Sequence, residues 1–263
     1  MSPSCAANRP ARFTIGKLRR FVSRPLPGPA AARPRLVSGK HEFFLVSQLR
    51  IGPREAEPQM INESRVPGSP AIQAPPGAGD GVFYIGRPEW LTEEWLSSLR
   101  REAAAARSGA IPLRTEFFAP VGPAGRAFST APELLALIAA RAVPAAPSGS
   151  ASYLYYDQPG SELGPHLDDE RFVLNVLMNL EHHFESTRCS AFLLFPHGPA
   201  PIKVFLDPGM FILFHAGAVI HARSRVSGDG REHVWNIGTG FAPLAPLLST
   251  RYWRPNANGT GDD

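Results

Sequence analysis

Short apolar segments separated by turn residues fill the second half of the chain. Such segments lie at 153–156, 172–180, 191–195 and 209–221, and the stretches between them contain Pro, Gly, Asp or Glu. Short runs that are rich in aromatic and β-branched side chains and bounded by turn residues are typical of β-strands. This half of the chain is therefore predicted to form a mainly β domain.

One strand and two helices are predicted ahead of these segments. Residues 81–85 have the composition of a short strand. Thr92 can cap a helix that runs to about Arg107, because apolar residues recur at helical spacing on one face of this stretch. A second helix is predicted at 130–142, with Thr130 as its cap and Pro132 in its first turn. The stretch between them, 113–129, is predicted to be loop and short strand.

The first 80 residues have a different character from the rest of the chain. They are rich in Pro, Ala, Arg, Gly and Ser and show no sustained periodicity, which is typical of disorder. Two other interpretations stay open, namely an organellar transit peptide and a translated leader with Met60 as the true start. The chain is therefore divided into an extension at 1–80, a domain at 81–248 and a polar C-terminal tail at 249–263.

Charge is distributed unevenly between the extension and the domain. Residues 1–41 hold nine Lys or Arg and no acidic residue, so the remainder carries 18 basic and 23 acidic side chains. The net charge of +4 thus belongs to the extension, and no nucleic-acid partner is expected for the domain. No apolar run reaches the roughly 18 residues of a membrane span, so no membrane partner is expected. A cytoplasmic location is expected, with organellar targeting as the alternative, and the oligomeric state is not predicted.

The candidate chemistry begins with His166 and Asp168 in the segment 163–170. In an extended strand, residues i and i+2 point to the same face, so the imidazole and the carboxylate would aim at one point. The H-x-D pattern alone is common by chance. It becomes informative here because strand-like segments precede and follow it in a regular order.

A distant histidine on another strand would complete a metal site. His221, at the end of the segment 209–221, is the favoured third ligand, and His215, which directly follows Phe214, is its rival. Two histidines and one carboxylate form the facial triad of non-haem Fe(II) oxygenases. The sequence therefore predicts an iron site made by His166, Asp168 and His221.

This order of strand, H-x-D, strands, histidine and then Arg231 ten residues later resembles the 2-oxoglutarate/Fe(II)-dependent dioxygenase superfamily, and most of all its prolyl-hydroxylase-like group. The resemblance covers roughly residues 81–243. It implies a double-stranded β-helix (jelly-roll, cupin-like) core with flanking N-terminal helices. It also implies Fe(II), 2-oxoglutarate and O₂ as cofactor and co-substrates, and succinate and CO₂ as products. Because related halogenases lack the carboxylate ligand, the presence of Asp168 favours hydroxylation.

The resemblance also suggests which residues bind 2-oxoglutarate. Arg231 would hold its distal carboxylate, since a guanidinium matches a carboxylate bidentately. His233 would share the face of Arg231 and help to seat the co-substrate, unless it is an ordinary core histidine. Tyr156, ten residues before the H-x-D motif, is a further contact, with Tyr155 as the alternative and core packing as the plainer role for either. Asn175 either hydrogen-bonds 2-oxoglutarate or is solvated.

The function expected from these residues is hydroxylation of a small molecule, such as an amino acid or a natural-product intermediate. A protein prolyl or lysyl hydroxylase is the alternative within the same chemistry. A cupin-type metal enzyme that does not use 2-oxoglutarate would share the fold without needing Arg231. A catalytically silent jelly-roll binding protein would not need a histidine and an aspartate at one focus.

Overall fold

The computed structural model describes residues 80–247 and Tyr252. The interpretations of residues 1–79, and those of the tail at 249–263 apart from Tyr252, lie outside the described residues. Strands and helices follow one another in the order β1 (Val82–Gly86), α1 (Glu93–Arg107), β2 (Ile111–Leu113), β3 (Glu116–Pro120), α2 (Pro123–Ser129), α3 (Pro132–Arg141), β4 (Ala145–Tyr156), β5 (Leu163–His166), β6 (Leu174–Phe184), β7 (Phe192–Phe195), β8 (Ile202–Val204), β9 (Phe211–Phe214), β10 (Ile220–Arg223) and β11 (Glu232–Pro243). None of the described helices is long and apolar enough to cross a membrane.

The strands form two antiparallel sheets. The larger sheet has the order β1-β9-β6-β11-β4-β3-β2, and the smaller one has the order β5-β10-β7-β8. Apolar side chains of the smaller sheet, such as Phe192 and Leu194, pack with Leu177, Ile212 and Phe214 of the larger sheet. The two sheets therefore enclose a common interior, and the prediction of a double-stranded β-helix is confirmed.

The outer face of the larger sheet is covered by the helices. Leu96, Leu99 and Ala103 of α1 are buried in one cluster with Tyr153 and Tyr155 of β4. The helix begins as predicted, because the Thr92 hydroxyl accepts a hydrogen bond from the backbone N–H of Trp95 at 3.4 Å. Side chains alternate along each strand, so one face of β4 packs on the helices and the other lines the interior.

The prediction for the second helix was wrong in its start. Helix α3 begins at Pro132 after Ala131, and Thr130 instead ends the preceding helix α2. The Thr130 hydroxyl donates to the carbonyl of Arg126 at 3.0 Å, so it serves the end of one helix rather than the start of the next. Helix α2 itself was missed, since 113–129 was expected to be loop and short strand.

A carboxylate from another element holds the N-terminus of α2. Glu102 of α1 accepts hydrogen bonds from the backbone N–H groups of Gly122, Ala124 and Gly125 at 2.7–2.9 Å, and from the Tyr153 hydroxyl at 2.6 Å. Burial alone would raise the pKa of Glu102, but these four donors outweigh it and lower the pKa. The cap comes from a residue about 20 positions away, which explains why no local pattern revealed α2.

Candidate metal centre

His166 and His221 lie directly opposite each other on paired strands. His166 ends β5 and His221 is the second residue of β10, and the antiparallel register pairs the two residues. Their ring centroids are 4.2 Å apart, and both side chains are buried. Asp168, two residues beyond the end of β5, brings a carboxylate oxygen within 3.5 Å of Nε2 of each histidine.

Each histidine ring is oriented by its own strand. Nδ1 of His166 donates to the carbonyl of Gly164 at 2.9 Å, and Nδ1 of His221 donates to the carbonyl of Val219 at 3.0 Å. These bonds leave both Nε2 atoms free to bind a metal, which is the usual arrangement for ligating histidines. The three ligand atoms lie within 4.8 Å of one another, and no other such group occurs within the described ranges. Two imidazoles and a carboxylate suit Fe(II).

Asn175 supports the carboxylate ligand. Its Nδ2 donates to Oδ2 of Asp168 at 2.8 Å, whereas the 3.5 Å contacts with the histidines involve Oδ1. Burial alone would raise the pKa of Asp168, but His221 and His166 outweigh it and hold this pKa below its ordinary value. Asp168 therefore carries an ionised carboxylate, with one oxygen engaged by Asn175 and the other near the two histidines. The prediction that Asn175 contacts 2-oxoglutarate is not tested by this contact, since its Oδ1 remains buried without a partner among the described residues.

A second polar group lies in the interior beyond the metal centre. Arg223 follows His221 by two residues on β10, so both side chains point to the same face. Arg223 is 5% exposed. Its guanidinium lies 5.2 Å from the centre of the Tyr156 ring and donates to the Ser190 hydroxyl at 3.3 Å. Burial lowers the pKa of Arg223, because removing its charge from water is unfavourable. Burial raises the pKa of Tyr156, so its phenol stays protonated.

Arg223 makes no ion pair with any residue that the structure describes. Glu232, the buried acid at the start of β11, is already satisfied by the His182 ring and by the backbone N–H groups of Cys189, Ser190 and Ser227, at 2.8–2.9 Å. A buried charge without a partner is costly, so such a group commonly marks a binding site for an opposite charge. The interior therefore offers an anchor for an anion.

Arg231 and His233, predicted as 2-oxoglutarate contacts, are not in this interior. The Arg231 side chain is 59% exposed and forms ion pairs with Glu185 and Asp229. His233 bonds to Glu181 at 2.8 Å and stacks on His183. The alternation along β11 explains this placement, because its odd-numbered residues face away from the interior and its even-numbered residues face inward.

His215, the rival of His221, and Tyr155, the rival of Tyr156, both lie outside the interior that holds the triad. The ring of His215 packs against Tyr252 with the ring centroids 5.8 Å apart, outside the triad. Tyr155 faces the helices and donates from its hydroxyl to the carbonyl of Ala103 at 2.7 Å. Tyr156 lies on the opposite face, so the structure brings Tyr156 rather than Tyr155 into the interior.

Sequence reasoning missed Arg223, although the sequence carries a signal for it. His221-Ala-Arg223 repeats the spacing of His166-Leu-Asp168, and the same i, i+2 argument places both pairs on one face. The resemblance pointed instead to Arg231, the basic residue after the next turn. Arg223 therefore could have been found by applying the strand argument a second time.

Comparisons with known proteins identify structures with a similar fold but no matching family and no matching curated sequence. No family model matches the chain, and no curated protein sequence matches it. A Burkholderia pseudomallei oxidoreductase of the 2OG-Fe(II) oxygenase family has a similar structure, with a TM-score of 0.53 and 12% identity over 71% of this chain and 95% of that one. This likeness shows that the chain has the fold of that oxidoreductase.

Two other solved structures are similar at lower TM-scores. A Pseudomonas putida prolyl-4-hydroxylase has a TM-score of 0.48 and 17% identity, over 61% of this chain and 93% of that chain. Streptomyces hygroscopicus HygX, solved with nickel and 2-oxoglutarate bound, has a TM-score of 0.49 and 13% identity, over 67% of this chain and 86% of that chain.

Proposed function

We propose that this protein is an Fe(II)- and 2-oxoglutarate-dependent oxygenase that hydroxylates a small molecule. One observation carries the proposal: a His–Asp–His triad shares the interior with a buried arginine that has no acidic partner among the described residues. A metal site alone would also suit a cupin-type enzyme that needs no acid co-substrate. The unpaired Arg223, two residues from the ligand His221, favours a co-substrate that carries a carboxylate.

The interior suits a short 2-oxo diacid. Two residues along a strand are separated by about 6.6 Å, so Arg223 lies about that distance from His221 along β10. A ligand bound to the metal through one end can therefore present a second carboxylate to the guanidinium. Tyr156 lies beside Arg223 and, with its pKa raised by burial, keeps a proton to donate to the same carboxylate.

The residues of this chain would hold and orient the reactants. His166, Asp168 and His221 would hold the metal, and Asn175 would keep one Asp168 oxygen out of the coordination. When bound, iron with 2-oxoglutarate and O₂ supplies the oxidising chemistry that hydroxylates a substrate and yields succinate and CO₂. The apolar rings of Phe192 and Phe214 pack around His221 and restrict water there.

A small molecule is the proposed substrate rather than a protein residue. Every described strand belongs to the two sheets, and the described helices pack against the larger one. The described part of the chain therefore has no separate module that would recognise a peptide. The wall around the site is formed by the fold itself, which suits a ligand that enters the interior.

Succinate formation tests this proposal. The full-length protein is loaded with Fe(II), supplied with 2-oxoglutarate and O₂, and incubated with a panel of amino acids, natural-product intermediates and prolyl or lysyl peptides. We expect one class of small molecule to increase succinate release. His166→Ala should lose the activity together with bound iron, whereas His215→Ala, a histidine outside the triad, should keep both. Stimulation by peptides alone would overturn the small-molecule substrate, and bound iron without any use of 2-oxoglutarate would overturn the co-substrate.

A further inference from the structure

Asn236 is a buried polar residue in the middle of β11. It is 1% exposed, and neither its Oδ1 nor its Nδ2 has a hydrogen-bond partner among the described residues. Buried polar atoms in folded proteins are nearly always hydrogen bonded. An amide with both ends unsatisfied therefore indicates that a partner belongs there.

The direction of the Asn236 side chain follows from its neighbours on β11. Val234 packs with Tyr156 in the interior. A side chain at position 238 would meet Leu177, which belongs to the interior cluster between the two sheets. Since side chains alternate along a strand, Asn236, which lies between these two positions, points to the same interior.

Asn236 lies between the two parts of the site along β11. At one end of this stretch, Val234 is opposite Tyr156, which lies beside the unpaired guanidinium. At the other end, Gly240 is opposite Asn175, which holds the carboxylate ligand of the metal centre. The intervening inward position on β11 is Gly238, which has no side chain of its own. A Cβ atom built there would lie 3.8 Å from Oδ1 of Asn175 and within 3.8 Å of Leu154 and Leu177.

The two sheets supply donors from opposite sides of this space. Arg223 comes from the smaller sheet and Asn236 from the larger one. The guanidinium donates to the Ser190 hydroxyl and lies beside Tyr156, and the amide has no hydrogen-bond partner among the described residues. A carboxylate has two oxygens with about four acceptor positions, so it can accept from donors on both sides at once.

We propose that Asn236 donates a hydrogen bond from Nδ2 to the distal carboxylate of the co-substrate, opposite Arg223, and so selects a 2-oxo diacid over a 2-oxo monoacid. This inference rests on the proposed function, since it assigns a residue to the same co-substrate. Asn236 is a specificity-determining residue in this arrangement and does not touch the metal. This contact would satisfy a buried amide at a position where leucine would leave no polar group unsatisfied.

The test compares two ligands that differ only at the distal end. Calorimetric titration of the Ni²⁺-loaded full-length protein measures the affinity for 2-oxoglutarate and for 2-oxopentanoate, which has a methyl group in place of the distal carboxylate. Asn236→Leu removes the donor at similar volume. Asn236→Asp keeps the size and places a like charge against the carboxylate. Thr239→Val is the matched control, because Thr239 is also buried on β11 with an unpartnered hydroxyl but faces the helices.

We expect Asn236→Leu to weaken 2-oxoglutarate binding by about tenfold or more, as for the loss of a hydrogen bond to a charged group. Asn236→Asp should weaken it further, and both variants should bind 2-oxopentanoate as the parent does. Thr239→Val should bind both ligands like the parent. If Asn236→Leu does not fold, the isosteric Asn236→Asp carries the same comparison.

Two results would overturn the inference, and they are distinguishable from failure of the proposed function. Equal weakening for both ligands would show that Asn236 shapes the interior without contacting the distal carboxylate. Unchanged 2-oxoglutarate affinity in both Asn236 variants would remove the residue from the co-substrate site. In either case the parent still binds 2-oxoglutarate, whereas a parent that binds none would overturn the proposed function and this inference together.

Discussion

Arg223 and His221 occupy alternate positions on one short strand, and both side chains are buried in the same interior. The strand thereby fixes the separation between a metal ligand and a cation. Because strand geometry varies little, this separation is a property of the backbone rather than of flexible side-chain placement. The separation of the two residues along the strand therefore sets the length of a ligand that can contact both the metal and the guanidinium.

Replacing Arg223 should separate co-substrate binding from metal binding. Arg223→Met removes the charge at similar length, and we expect it to cost about 2–4 kcal/mol of 2-oxoglutarate binding, or about 30- to 1,000-fold in affinity. Arg223→Lys should keep only part of the 2-oxoglutarate affinity that Arg223→Met loses, because an ammonium group lacks the planar, two-pronged geometry of a guanidinium. Titration of the metal-loaded protein with 2-oxoglutarate measures the effect.

Arg231→Met is the control for that experiment. Since Arg231 is exposed and paired with Glu185 and Asp229, its loss should leave 2-oxoglutarate affinity nearly unchanged. The reverse pattern, with Arg231→Met impaired and Arg223→Met intact, would show that Arg231 anchors the co-substrate, as the resemblance implied.

Metal retention should distinguish the triad from its rival histidine. His221→Ala should lose most bound iron after dialysis, because one of three ligands is removed. His215→Ala should keep its iron, since the His215 ring lies against Tyr252 outside the triad. Elemental analysis of the purified variants measures the result. Iron lost from His215→Ala and kept by His221→Ala would identify His215 as the ligand.

Asn175 should affect metal affinity although it is not a ligand. Its hydrogen bond fixes Oδ2 of Asp168, and loss of such a supporting contact typically costs about 10- to 100-fold in metal affinity. Asn175→Leu should therefore weaken Fe(II) or Ni²⁺ binding in a competition titration with a chelator. Asn236→Leu, on the same interior but without this contact, should bind the metal like the parent. Equal affinities for Asn175→Leu and the parent would contradict the supporting role.

Acid should destabilise the fold through Glu232 and His182. Burial alone would raise the pKa of Glu232, but His182 and three backbone donors lower it. Burial lowers the pKa of His182, which is neutral and accepts at Nδ1 from Arg188. Both groups bind protons more readily in the unfolded chain. Stability should therefore begin to fall below the ordinary histidine pKa of 6.5 and fall further below the ordinary glutamate value of 4.5.

The variant Glu232→Gln isolates one part of this effect. It should lower the free energy of unfolding at pH 7 by about 2 kcal/mol, because a charged acceptor of four hydrogen bonds is lost. The decline below pH 4.5 should be shallower than in the parent. Denaturant unfolding between pH 7 and pH 4 measures both. An unfolding free energy independent of pH in the parent would exclude this network as the source.

The strand pattern and the i, i+2 rule were sufficient for the fold class and for bringing His166 near Asp168. These are local properties, since alternation and turn residues are written in adjacent positions. The partnership of His166 with His221 was expected from order along the chain, and the antiparallel register of β5 and β10 provides it. Short-range rules therefore predicted the mainly β half of the chain and the His166–Asp168 pair, whereas His221 was inferred from the order of the segments along the chain.

The sequence did not reveal features of the structure that depend on residues far away in the chain. Whether Arg231 faces inward depends on the register in which β11 enters the larger sheet, and a shift of one residue exchanges the two faces. Likewise, α2 is capped by Glu102 from another helix. Thr130 is a residue type that often precedes a helix, but here it ends α2. Helix α3 begins two residues later, at Pro132. Register and long-range capping cannot be read from neighbouring residues.

The hydrogen bonds from each histidine Nδ1 to a carbonyl two residues earlier have a consequence for the life of the protein in a cell. Both rings are held by backbone belonging to their own strands, so an ion that binds there meets side chains that are already oriented. Under the proposed function, exchange of iron would then require no refolding, and occupancy would follow the free-ion concentration by mass action. The same chain would pass reversibly between an iron-free and an iron-bound form as iron becomes scarce or plentiful.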